Sequence, residues 1–261
     1  MVASTRGRGE AARDRDKASG VADAPRGNRA GESRLAELAS SWTSRVWYRF
    51  WQRMLQIAWV LLYRVRRTGM ENIPTEGPII LAPNHQSHLD PPLVGSCCPR
   101  RMSYMARASL FHFAPFAWLI RSFGAFPIDR EAGRGIAGVK ETLRRLKDGH
   151  VIMMFPEGTR TPDGRIHPFR SGIRTLAVRS DAVIVPVAIE GAYQAWPRWR
   201  MFPRLGTIHI HYGEPLWPEQ IRELGEDALV EEVERRVRRY HAELCRHRAI
   251  ARMRRAGRCP G

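Results

Sequence analysis

His85-Gln86-Ser87-His88-Leu89-Asp90 sets an imidazole five residues ahead of a carboxylate, and Phe155-Pro156-Glu157-Gly158-Thr159-Arg160 later adds an acid and a guanidinium at a turn. An imidazole held by a carboxylate can take the proton from an attacking hydroxyl, which is worth about 10²–10⁴ in rate. The second motif suits an anionic, polar substrate, because a planar guanidinium matches phosphate or carboxylate oxygens in pairs. Acyl transfer to a hydroxyl uses both motifs. The structural alternative for Asp90 is that its side chain only caps a helix.

The two dyad side chains cannot meet along a regular element. On one strand they would lie about 16 Å apart on opposite faces. On one helix they would be separated by about 140° of rotation. A bend is required, and the flanking residues supply one. Ile79-Ile80-Leu81-Ala82 reads as a short buried strand, Pro83-Asn84 breaks it, and Asp90-Pro91-Pro92 starts a helix with proline at its first turn. A strand-to-helix turn can therefore fold His85 back onto Asp90.

From Gly69 onward short apolar runs alternate with helical stretches. Candidate strands are Ile79–Ala82, Met102–Met105, Ala125–Ile128, Val151–Phe155 and Val183–Ile189, with Thr207–Gly213 as a half-exposed strand whose His209 and His211 face outward. Candidate helices lie near Pro92–Cys98, Leu110–Phe123, Ile136–Asp148 and Gly172–Ser180, and Leu229, Val233, Val237, Tyr240 and Leu244 mark a long C-terminal one. This alternation predicts an α/β fold with a single, mostly parallel sheet flanked by helices. No internal repeat is visible.

The chain of 261 residues, 43% hydrophobic, can bury one substantial core. Its net charge of +17 calls for an anionic partner: lipid headgroups, phosphorylated small molecules or nucleic acid. Cys97, Cys98, Cys245 and Cys259 form no CxxC pair and no metal spacing, which predicts a reduced, cytosolic setting. Residues 1–38 are expected to be a disordered basic arm rather than a signal peptide. Residues 251–261 are expected to be a frayed basic tail after a helical segment, 217–250.

Residues 39–68 form the membrane-facing candidate. Arg45, Arg49 and Arg53 recur on one helical face; Val46, Phe50, Met54, Ile57, Leu61 and Val65 form another, flanked by Trp47, Trp51, Leu55 and Leu62. The charge-free stretch from Met54 to Tyr63 would make about 15 Å of helix, too short for a hydrocarbon layer of about 30 Å. Tryptophan and arginine at this density suit a helix lying in the interface. The alternative is an amphipathic helix packed on the core.

Gly69-Met-Glu-Asn-Ile-Pro74, Asn84-His85-Gln-Ser-His-Leu-Asp90, Gly124-Ala-Phe-Pro-Ile-Asp-Arg130, Phe155-Pro-Glu-Gly-Thr-Arg160 and Val185-Pro186-Val-Ala-Ile stand in an order that resembles the glycerolipid acyltransferases, and most nearly those that acylate 1-acylglycerol-3-phosphate. The resemblance covers residues 68–215 and implies an acyltransferase domain at 69–216. It implies that His85 and Asp90 are the dyad activating the acceptor hydroxyl, and that Arg130, Glu157, Gly158, Thr159 and Arg160 hold the glycerophosphate. Arg170, in a further matching patch with Phe169 and Gly172, joins them as a phosphate contact. The partners implied are acyl-CoA or acyl-carrier protein as donor and lysophosphatidate as acceptor. The place of work is an anionic membrane surface, at the cytoplasmic face. Another lysophospholipid or an amino-acid lipid would use the same blocks. No metal or other cofactor is expected.

Competing motifs have specific weaknesses. Ser87 is not in a G-x-S-x-G elbow, so it is expected to shape the turn rather than act as a nucleophile. His88 is a turn residue facing pocket or solvent. Gly133-Arg-Gly-Ile-Ala-Gly138 matches G-x-G-x-x-G, but its first glycine is not at a strand end as a dinucleotide fold needs. His88-Leu-Asp90 resembles part of a metallohydrolase loop but has Gln86 and Pro91 where histidines would be needed. A nucleic-acid-binding protein would explain the charge alone, and no recognised binding module stands in the sequence.

Overall fold

A computed structural model describes residues 29–122, 124–128 and 135–255. Internal contacts group the chain into Met1–Trp42 and Thr43–Gly261. The described residues of the first unit are helical, as the start of α1 (Arg29–Tyr63). That helix begins inside the arm expected at 1–38. The run Arg34-Leu-Ala-Glu-Leu-Ala39 consists of strong helix formers, and its propensity outweighs the polar composition.

The second unit is built on seven strands: β1 (Arg66–Thr68), β2 (Ile79–Pro83), β3 (Met102–Arg107), β4 (Ala125–Ile128), β5 (Val151–Met153), β6 (Val183–Glu190) and β7 (His209–Tyr212). Their order across the sheet is β1-β7-β6-β2-β5-β3-β4. The run from β6 to β4 is parallel, and β7 joins β6 antiparallel. The helices are α2 (Asp90–Cys97), α3 (Ala114–Ser122), α4 (Gly135–Lys147), α5 (Gly172–Ser180), α6 (Ala192–Ala195) and α7 (Pro218–Arg255). The expected mostly parallel α/β sheet and long C-terminal helix are present.

Strand alternation divides the core between the two sheet faces. Ile79, Leu81, Val151, Met153, Val183 and Val185 pack with Leu93, Val94 and Cys97 of α2 and with Trp59 and Tyr63 of α1. Ile80, Ala82, Ile152 and Ile184 face the other way, against Leu146 of α4, Ile173 and Leu176 of α5, and Leu229, Val233 and Val237 of α7. Each central strand is buried on both faces, which is why it reads as an unbroken apolar run.

Three departures from the sequence expectation have local causes. β1 went unrecognised because Arg66-Arg67-Thr68 is exposed at the edge of the sheet, where it pairs in parallel with β7. The expected helix Leu110–Phe123 divides into a 3₁₀ turn, Ala108–Phe111, and α3, with Pro115 in the first turn of α3, where a missing N–H costs least. The basic tail is helical to Arg255, and α7 is interrupted at Gly225, whose φ is 73°. Gly69 marks a close approach: at φ 74°, a Cβ there would lie 2.0 Å from the Tyr212 carbonyl oxygen.

The described side chains of α1 turn Gln52, Gln56 and three aromatic rings toward the core, while Arg49 and Arg53 are exposed. Gln52 and Gln56 donate to the Cys98 and Ser96 carbonyls at 2.7 and 2.6 Å, and the Trp59 indole donates to Ser96 Oγ at 3.0 Å. Tyr48, Trp59 and Tyr63 are buried on this side. Val46, Phe50, Met54, Ile57 and Leu61 all face solvent, Leu61 at 75% exposure. Among the described residues no helix is long and apolar enough to cross a membrane.

Candidate active site

β2, β5 and β6 lie side by side and parallel, so their C-terminal ends release the functional loops at one edge of the sheet. Open parallel sheets place their ligands at that edge. β2 leads into His85, β5 into Phe155–Arg160, and β6 into α6. Asn84 fixes the exit from β2: its side-chain amide donates to the Ile189 carbonyl at 3.0 Å and its oxygen accepts from the Ile189 N–H at 2.7 Å. The chain thus leaves the sheet while keeping a strand-like pair with β6.

His85 is fixed at every polar atom except one. Its ring Nδ1 meets Asp90 Oδ2 at 2.9 Å. Its backbone N–H donates to Glu157 Oε1 at 2.7 Å, and its carbonyl accepts from the Thr161 N–H at 2.8 Å. The ring stacks on Phe155 with centroids 3.8 Å apart. With Asp90 holding Nδ1, Nε2 is the nitrogen left to exchange a proton, and the side chain is 16% exposed.

Asp90 is completely buried. The same Oδ2 accepts from the backbone N–H groups of Gln86 at 2.6 Å and Ser87 at 2.7 Å. Leu89 holds the N-cap position of α2 with no side-chain cap, so Asp90 points back into the turn and does not cap the helix. Among the described residues Oδ1 has no hydrogen-bond partner. Ser87 Oγ accepts from the Leu89 N–H at 3.1 Å and donates to the Trp196 carbonyl at 2.6 Å, so this hydroxyl is used in shaping the turn.

Glu157 serves the protein's own backbone. Besides the His85 N–H, it accepts from the His167 N–H through Oε2 at 3.0 Å, and the residue is buried. Burial pushes its carboxyl above the ordinary carboxylate range, opposed by the two backbone donors. Its position is that of a brace between the two motifs. Gly158 takes φ 74°, and a Cβ there would meet Arg170 Nε at 2.9 Å, so the Arg170 side chain lies against the bare glycine. Thr159 is exposed at the tip of the turn. Arg160 is paired with His88 Nε2. Burial first, then Arg160 and His85, lower the His88 imidazole below its usual range. Of the expected substrate-holding residues, Glu157, Gly158, Arg160 and Arg170 are joined to the dyad turn through these contacts. Arg130 lies outside the described residues.

Three participants were not anticipated from the sequence. Gln86 reaches the Gly164 carbonyl at 3.3 Å and His241 of α7 at 3.1 Å, tying the dyad turn to the C-terminal helix. Thr161 Oγ1 organises its own loop, donating to Asp163 at 2.9 Å and accepting from the Gly164 N–H at 3.1 Å. Trp196 lies 5.1 Å from the His88 ring, centroid to centroid. The Gln86 and Trp196 contacts join positions far apart in sequence and arise only from tertiary packing, whereas the Thr161 contacts are local to its own turn.

Residues 64–190 match the protein family described as Acyltransferase. A 1-acyl-sn-glycerol-3-phosphate acyltransferase of Bacillus subtilis is 29% identical over 65% of this chain and 82% of its own length. One from Pseudomonas aeruginosa is 30% identical over 66% of each chain. A chloroplast relative from Arabidopsis thaliana is 29% identical, with only 38% of its length matched by this chain. The crystal structure of a 1-acyl-sn-glycerophosphate acyltransferase from Thermotoga maritima superposes with a TM-score of 0.68 at 29% identity, covering 80% of this chain and 82% of that one.

Proposed function

Since this chain is a member of the acyltransferase family, we propose that it transfers a fatty acyl group from a thioester, acyl-CoA or acyl-carrier protein, to the free hydroxyl of 1-acylglycerol-3-phosphate, giving phosphatidate. The observation that carries this reading is the His85–Asp90 contact at 2.9 Å beside the turn of Gly158 and Arg160, against which the Arg170 side chain lies. The names of the relatives support lysophosphatidate as acceptor.

The chemistry follows from the fixed ring. His85 Nε2 takes the proton of the acceptor sn-2 hydroxyl as its oxygen attacks the thioester carbonyl carbon. Asp90 keeps Nδ1 protonated and stabilises the imidazolium that forms. The tetrahedral intermediate collapses by breaking its C–S bond, and the imidazolium returns the proton to the departing sulfur. One ester forms, one thioester breaks, and no acyl-enzyme is needed. Arg160, Arg170, Thr159 and Arg130 are assigned to the phosphate of the acceptor. Glu157 is assigned to holding the His85 backbone in register.

The work is assigned to the cytoplasmic face of the membrane, as a peripheral protein. The outward apolar face of α1 supports the membrane part of this assignment, since Phe50, Met54, Ile57 and Leu61 are exposed among the described residues. The test is an acceptor panel: lysophosphatidate, lysophosphatidylglycerol and lysophosphatidylcholine, each with labelled acyl-CoA or acyl-carrier protein. Preferential labelling of phosphatidate is expected. Transfer to a different acceptor alone would move the assignment, and transfer to none would overturn it.

A further inference from the structure

Between α6 and β7 the chain makes an ordered excursion. The Arg204 N–H donates to the Ala195 carbonyl at 2.8 Å and closes its base. The Trp196 indole donates to the Arg200 carbonyl at 2.8 Å, and the Arg200 N–H donates to Pro197 at 3.2 Å. Despite this order, Trp199, Met201, Phe202 and Leu205 are 66%, 79%, 73% and 73% exposed. Single exposed apolar side chains are ordinary, but four large ones on one tied loop mark a surface that something covers.

Charge identifies the cover. Arg198 and Arg204 stand exposed among the apolar side chains, and the Arg200 guanidinium lies 4.9 Å over the Trp199 ring. No acid occurs between Glu190 and Glu214. An apolar tip collared by arginine fits an anionic lipid surface, where the side chains enter the acyl boundary and the cations meet headgroups. A second copy of the same loop would bring like charges together. The root of the loop also touches the dyad turn, through the Ser87 hydroxyl on the Trp196 carbonyl at 2.6 Å and the His88 ring beside that of Trp196.

We infer that the loop 198–205 seats in an anionic bilayer and sets the His85–Asp90 turn at the headgroup plane, so that a lipid acceptor is drawn from the membrane without passing through water. Only the kinetic arm of the following experiment rests on the acyl-transfer assignment.

The experiment uses the full chain with Met201→Ser/Phe202→Ser, Met201→Leu/Phe202→Leu and Arg198→Gln/Arg204→Gln, floated with phosphatidylglycerol–phosphatidylcholine vesicles and with phosphatidylcholine alone. Acyl transfer is measured to long-chain lysophosphatidate in vesicles and to a dissolved short-chain analogue. The serine pair should cut binding to anionic vesicles and the vesicle rate roughly tenfold or more, while the rate on the dissolved analogue stays within about twofold. The leucine pair should bind as the wild type does. The glutamine pair should lose its preference for anionic vesicles. Unchanged flotation of the serine pair would overturn the inference, as would equal loss on both substrates or loss by the leucine pair. A change in oligomeric state with flotation intact would instead assign the loop to a second copy. Vesicle binding that follows this pattern, with no turnover on either substrate by the wild type, would sustain the loop assignment and sink the acyl-transfer one.

Discussion

Asp90 holds His85 with the same carboxylate oxygen that gathers the Gln86 and Ser87 backbone amides, three donors on Oδ2 within 2.9 Å. The bend that lets the imidazole reach the carboxylate is therefore closed by that carboxylate. The alignment proposed for catalysis and the local fold share one atom.

Asp90→Asn should then harm both. The replacement weakens an acceptor serving three donors and loses the charge that stabilises the imidazolium. Hydrogen bonds to a charged group are worth about 1.5–3 kcal/mol, so urea unfolding should show a loss of about 1–3 kcal/mol. Turnover should fall by at least about 10²-fold. A variant with wild-type stability and rate would mean that Oδ2 closes nothing that matters.

Gly158→Ala tests the acidic–basic turn. Its φ of 74° disfavours any side chain, and the new methyl would press on Arg170. The backbone penalty is about 1–2 kcal/mol, read from thermal or urea unfolding. Displacement of Arg170 should raise KM for lysophosphatidate more than it lowers kcat. An unchanged KM would remove Arg170 from the phosphate site.

The legible part of this site was the local part. Pro83-Asn84 and Asp90-Pro91 signal a bend because their constraints act on the backbone where they stand. Two readings of Asp90, helix cap or imidazole partner, were open in the sequence. The structure makes Leu89 the N-cap and turns Asp90 onto the amides of Gln86 and Ser87. Glu157 reads as a substrate ligand from its neighbours, yet it spans from His85 to His167, a link that exists only once β2 and β5 are adjacent. The strands β2 and β6 were plain because burial on both faces demands continuous apolar residues. The edge strand β1 carries no such demand and gave no signal.

Mild acid should weaken the fold through its histidines. Burial is the first cause lowering the imidazoles of His88, His150, His209, His211 and His241. The unfolded chain then binds more protons than the folded one as pH falls below about 6.5, the ordinary histidine value. Stability from these groups is complete above that pH and declines through the lowered folded values. Glu157, raised by burial, acts in the opposite sense, because acid relieves its buried charge. The lowered imidazoles set the expected sign, so the urea midpoint should be lower at pH 5.5 than at 7.5. Equal midpoints would contradict it.

The two sides of α1 should respond differently to substitution. Trp59 is buried and bonded to Ser96 Oγ, so Trp59→Ala should cost about 3–5 kcal/mol of stability. Ile57→Gln/Leu61→Gln alters only exposed positions and should shift stability by no more than about 0.5 kcal/mol per site. The same pair should reduce vesicle flotation. A large stability loss from the glutamine pair would return this face to packing within the protein.

The most direct measurement is product formation from lysophosphatidate and labelled acyl-CoA by wild type and His85→Ala, with unfolding followed in parallel. The wild type should yield labelled phosphatidate, and the variant should be slower by about 10²–10⁴-fold while remaining folded. A folded His85→Ala protein that labels phosphatidate at the wild-type rate would contradict the account.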